Sequence, residues 1–104
     1  MTKRKYELGT ILVDVWGYEQ TNIDFYQVVR ATESSCWLRQ IEKNYVKDIS
    51  TMSSIVEPVK DEFSRPDENP VMKRFTRLGV KSDLGYSYLQ EFNPDNKYNE
   101  TRWA

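Results

Sequence analysis

The chain contains no histidine. That removes the side chain most often used as a general base near neutral pH and as a metal ligand. Ser-His-Asp and Cys-His arrangements go with it. There is one cysteine, Cys36, so no internal disulfide can form, in keeping with a reducing cytoplasm. No apolar run reaches the roughly 18 residues that a membrane helix needs. Charge of one sign is also lacking: 15 basic residues face 16 acidic ones, for a net charge of −1. Such a balance disfavours non-specific nucleic-acid binding, which draws on counterion release from a basic face. It falls short of a strongly acidic nucleic-acid mimic as well. Glycines are few, and Glu-Leu-Gly and Leu-Gly-Val are isolated, with no G-x-G-x-x-G or P-loop to cradle a phosphate. No Asp/Glu group has the spacing of a metal loop. These absences favour a protein that acts by binding rather than by catalysis, and they imply no cofactor.

What is present is a pattern of short alternating segments. At 104 residues the chain makes one domain, 1–104, able to bury about two-thirds of its unfolded surface without a staple. Residues 1–5 read as a frayed basic arm; their short, interrupted apolar continuation lacks the cleavage site of a signal peptide. Ile11–Val15 alternates, with Ile11, Val13 and Val15 on one face and Leu12, Asp14 and Trp16 on the other, as a half-buried strand does. Phe25–Thr32 is a second strand, with Phe25, Gln27, Val29 and Ala31 opposite Tyr26, Val28, Arg30 and Thr32. Cys36–Ile41 follows after a short turn and forms a hairpin with it. Glu42–Asp48 either extends this strand or turns. Ile55–Lys60 is a fourth strand whose Pro58 places it at an edge or an end. Asp61–Pro70 is the longest irregular stretch, Val71–Leu78 a fifth strand, Gly79–Gly85 a turn-rich connection and Tyr86–Phe92 a sixth strand. Residues 93–104 read as an irregular tail that Tyr98 and Trp103 can pin to the body. The predicted fold is mainly β: a small, strongly bent, antiparallel five- or six-stranded barrel of the SH3-like kind.

Three groups of side chains are candidates for function. Trp16-Gly-Tyr-Glu-Gln-Thr-Asn-Ile-Asp-Phe-Tyr is a polar loop flanked by aromatics. Tyr18, Glu19, Asp24 and Tyr26 offer a recognition surface there, while Gly17 permits the bend. Asp14, Glu19 and Asp24 are the acids able to converge near this loop, as a carboxylate pair or, preferred, as partners of loop amides or basic neighbours. The acidic set Glu57, Asp61, Glu62, Asp67 and Glu68 can meet a basic groove. The basic set Lys73, Arg74, Arg77 and Lys81, with Tyr86 and Tyr88 to stack bases, is the nucleic-acid alternative.

The spelling of Trp16–Val29 resembles a group of small proteins of phages and plasmids that share W-G-Y-[DE]-Q-T-N-x-D-F-Y-x-V-V. The likeness continues loosely through Trp37–Ile41 and Val56–Phe63. Small single-domain proteins of such elements often act on host defence by binding, and inhibitors of CRISPR effectors (anti-CRISPR proteins) are one such class. The resemblance therefore implies a cytoplasmic protein of the bacterial host cell whose partner is a host protein, namely a type II CRISPR effector nuclease. The alternative is a small nucleic-acid-binding barrel serving phage or plasmid replication or regulation.

Overall fold

The computed structural model describes residues 6–17, 21–50, 53–77, 79–82 and 88–101. Every regular element among them is a strand: β1 Ile11–Trp16, β2 Asn22–Ala31, β3 Ser35–Ser50, β4 Ser53–Phe63, β5 Val71–Arg74, β6 Val80–Lys81, β7 Tyr88–Glu91 and β8 Tyr98–Thr101. They form one antiparallel sheet in the order β6-β7-β1-β2-β3-β4-β8, with β5 beside β3. The strands number eight rather than five or six, and the sheet is not closed: among the described residues no ladder joins β8 to β6.

The long β3 organises the sheet. Its first half, Ser35–Leu38, pairs with β5, and its second half, Ile41–Ser50, pairs with β4 on the same side. Glu42–Asp48 therefore extends the strand. Three register shifts let this length follow the twist of the sheet. β8 covers only Ser53–Val56 of β4, so the remainder of β4, from Glu57 through Pro58 to Phe63, is an edge. Pro58, with no N–H to donate, sits where none is required.

Both faces of the sheet carry a core. Leu12 and Val13 are consecutive, point to opposite faces and are each fully buried. Leu12 joins Val28, Ala31, Cys36, Leu38, Val80 and Leu89 on one face. Val13 joins Ile23, Phe25, Ile41, Val56 and Tyr98 on the other. The central strands are buried on both sides rather than half-buried. The first cluster draws on β1, β2, β3, β6 and β7, with Phe75 just past β5 packed against it. β5 leads into β6 through a tight turn in which Thr76 and Gly79 exchange backbone hydrogen bonds of 2.8 and 3.1 Å.

Several sequence expectations change. A β-bulge between Val28 and Arg30 makes Val29 the extra residue. Beyond it the faces swap, so Ala31 joins Val28 in the core and Arg30 moves to the face of Gln27. Asp61–Phe63 belongs to β4 and is not loop. Val71–Leu78 shortens to Val71–Arg74 because the Thr76 turn ends it. Within Gly79–Gly85, Val80–Lys81 is a strand, and the sixth expected strand is Tyr88–Glu91 in the described part. The tail expected to be irregular contains β8, since Tyr98 is buried against Phe25 and Phe92. The 1–5 arm and Trp103 lie outside the described residues.

Candidate recognition surface

The Trp16–Val29 stretch folds as strand, bend, strand. Gly17 has φ 129°, a region that favours glycine, at the point where β1 leaves its pairing of Trp16 with Asn22. The indole N–H of half-buried Trp16 donates to Asp24 Oδ2 at 2.7 Å, and Gln40 Nε2 donates to Asp24 Oδ1 at 3.3 Å. Asp24 thus fixes the corner rather than offering itself to a partner. Asp14 stands opposite Asp24 in the ladder and is buried, accepting from Ser82 Oγ at 2.7 Å. Tyr18 and Glu19 lie outside the described residues. Trp16→Phe keeps most of the ring and loses the N–H donor to a carboxylate, so it should cost about 1–2 kcal/mol. Urea denaturation of the variant beside the parent measures this; equal midpoints would show that the bond does not fix the corner.

The acidic set splits in two. Asp61, at φ 68°, is held by Gln27: its backbone N–H donates to Gln27 Oε1 and its Oδ1 accepts from Gln27 Nε2, each at 2.8 Å. Asp61 serves the bend of β4, where four residues, 59–62, stand against the single Glu42 of β3 between the pairs Lys43–Pro58 and Ile41–Phe63. Glu57, Glu62, Asp67 and Glu68 are exposed. The loop carrying the last two is fastened from below. Arg39 Nη1 donates to the carbonyls of Glu68 at 2.5 Å, Pro66 at 3.3 Å and, weakly, Arg65 at 3.5 Å. Arg65 lies 3.9 Å from Glu68 in an exposed pair of little energetic weight. Backbone carbonyls anchored to one guanidinium leave the carboxylates outward on a loop of fixed shape.

Between this loop and the sheet lies a cavity of about 150 Å³. Asp14, Tyr26, Gln40, Glu68, Asn69 and Lys73 are among the residues that line it. The structure thereby brings Tyr26, Glu68 and Lys73 together from groups that the sequence kept apart. Lys73 is half-buried opposite Cys36, whose thiol burial pushes up in pKa against the lowering influence of the Lys73 charge. That thiol stays protonated at neutral pH and is no ready nucleophile.

The rest of the basic set is dispersed. Arg74 and Arg77 are exposed, Lys81 is exposed opposite half-buried Tyr88, and Tyr86 lies outside the described residues. Lys73 and Arg74 point to opposite faces of β5. Among the described residues no group of three or more His, Cys, Asp or Glu is placed to hold a metal, and no helix is long and apolar enough to cross a membrane.

Sequence reasoning missed the polar clasp at the other end of the sheet. Glu100, on β8, is buried and accepts from Lys43 Nζ at 2.5 Å, Tyr45 Oη at 2.9 Å and the Ile23 N–H at 3.1 Å. Lys43 also donates to the Ile23 carbonyl at 2.7 Å. Burial pushes the Glu100 carboxyl up, but the bonds from Lys43, Ile23 and Tyr45 with the Lys43 charge outweigh it and hold the pKa below the ordinary carboxylate value. No local signal marks these partners, which lie 55 to 77 positions from Glu100. No protein-family model, characterised protein or solved structure matches the chain.

Proposed function

We propose that this protein is a non-catalytic inhibitor carried by a phage or plasmid. It acts in the cytoplasm of the bacterial host, where it binds a type II CRISPR effector nuclease and occludes its nucleic-acid-binding surface. The observation that carries the reading is the loop of Asp67 and Glu68 fastened through its carbonyls to Arg39, beside exposed Glu57 and Glu62. A fixed acidic loop loses little conformational entropy on binding. Its potential steers encounter with a basic groove and disfavours wrong partners. The phage and plasmid spelling of Trp16–Val29 supports the mobile-element origin. Strands β1, β2, β3, β5, β6 and β7, gathered about the Leu12 cluster, support reading that half as an SH3-like shell turned over at Thr76 and Gly79.

The test is target cleavage by a type II effector against concentration of the protein, at two salt levels. Changing Glu57, Glu62, Asp67 and Glu68 to lysine should raise the concentration needed for half-inhibition at least tenfold, more at low salt. Asp61 is left in place because it holds the bend. A parent that does not inhibit, or a folded variant as potent as the parent, defeats the reading.

A further inference from the structure

The sheet face turned away from the Leu12 cluster carries a second feature that the acidic loop does not use. Arg30, Trp37 and Met72 form one row across β2, β3 and β5, by the pairings Arg30 with Trp37 and Trp37 with Met72. The Val29 bulge puts Arg30 there; uninterrupted alternation from Val28 would have aimed it into the core. The Arg30 Cζ lies 4.5 Å from the centre of the Trp37 ring. Arg30 is exposed, Trp37 half-buried and Met72 43% exposed. Arg74, two residues beyond Met72, faces the same way and is exposed. Neither Arg30 nor Arg74 makes an ion pair among the described residues.

We infer that this face binds single-stranded nucleic acid. The Arg30 guanidinium lies over the indole with its own exposed plane available, and bases stack on aromatic rings and on arginine planes alike. Arg74 stands beside this stack as a phosphate contact. Two exposed guanidiniums, Arg30 and Arg74, give the stack a local positive charge that the net charge of −1 does not show. Arg39 beside Trp37 holds carbonyls of 65–68, and Lys73 points to the opposite face. Asp61, held by Gln27, and the loop of Asp67 and Glu68, held by Arg39, border the same face at the Gln27–Arg39 pair, so its cationic part is Arg30 and Arg74. An indole–guanidinium stack has a use for flat bases that it lacks for carboxylates. The inference is independent of the nuclease reading, and its test requires no nuclease.

Fluorescence anisotropy of labelled oligo-dT and oligo-rU, each about 12 nucleotides, should show binding that weakens steeply between about 50 and 200 mM salt. Trp37→Ala should weaken it about tenfold and leave the salt slope unchanged. Arg74→Ala should lower the slope by about one. Lys47→Ala, on the far half of β3, should change neither. Thermal melting confirms that each variant is folded, and exposed Arg74 keeps the test open if Trp37→Ala is not. No binding to either oligonucleotide at the lower salt overturns the inference. So does binding of polyglutamate in their place, binding insensitive to both variants, or a loss as large in Lys47→Ala.

Discussion

Phe25→Ala should destabilise the protein by about 3–5 kcal/mol, the range for emptying a fully buried aromatic site. Phe25 is 0% exposed and packs edge-on against Phe92 at 5.9 Å and Tyr98 at 6.0 Å between ring centres. Those two rings arrive from the chain's last segment, and the Asn93 N–H donates to the Tyr98 hydroxyl at 3.0 Å. Removing the Phe25 ring therefore takes away the surface on which β8 and the turn before it are laid. Neighbours are ill placed to fill the space, because Val13 and Ile41 on either side are already held in ladders with Phe25. Met72→Ala removes a β5 side chain that is 43% exposed opposite Trp37 and should cost much less, about 0.5 kcal/mol. Equilibrium urea denaturation of both variants measures the difference. A loss under about 1 kcal/mol for Phe25→Ala would mean that β8 and its aromatic turn are not packed as described.

The same residue shows how much of the fold was legible. Alternation separated Val13 from Leu12 in one strand and Phe25 from Val28 in the next, and the register of Val13 with Phe25 then joins the first of each pair on one face. Period-two patterning reads such strands well because each side chain's face is set by local geometry. It cannot say that both faces are covered, since that depends on what later segments bring. Nor could it extend β3 to Ser50: Glu42–Asp48 is mostly polar, and its strand conformation comes from pairing with β4. β8 was illegible for the same reason. Asn-Lys-Tyr-Asn-Glu-Thr has little strand character of its own and is held by Tyr98 in the core and by Glu100.

The candidate surface divides in the same way. Exposure of Glu57, Glu62, Asp67 and Glu68 follows from composition, and Pro66 and Pro70 mark the loop. That Arg39 fastens it does not follow, because nothing local links Arg39 to carbonyls 26 to 29 positions on. Asp24 and Asp61 read as available acids and proved to be committed to Trp16 and Gln27. The Arg30–Trp37 stack depended on a bulge, and one extra residue reverses every facing downstream of it.

Glu100→Gln should cost about 2–3 kcal/mol at pH 7, the scale of charge-assisted hydrogen bonds lost from a buried carboxylate. The glutamine oxygen can still accept, but Lys43 then keeps its charge with Asp24, at 3.9 Å, as its one carboxylate partner among the described residues. The pH dependence is the sharper measurement. The Glu100 pKa is lowered in the folded protein, chiefly against burial, by Lys43, Ile23 and Tyr45. The unfolded chain therefore takes up the proton first as pH falls. The stability contributed by the ionised form is complete above the unfolded value, about 4.3, and is lost as pH drops through the lower folded value. Parent and variant should differ by a constant amount from pH 7 to about pH 5 and then converge in acid. Their denaturation free energies, followed from pH 7 to pH 3, test this directly. β8 carries the clasp, so amides of Tyr98–Thr101 should lose protection from hydrogen exchange before those of β2 when Glu100 is protonated or replaced. Curves that stay parallel down to pH 3 would show that Glu100 is not held as an ionised acceptor, and the attachment of β8 would then rest on Tyr98 and the ladder with β4.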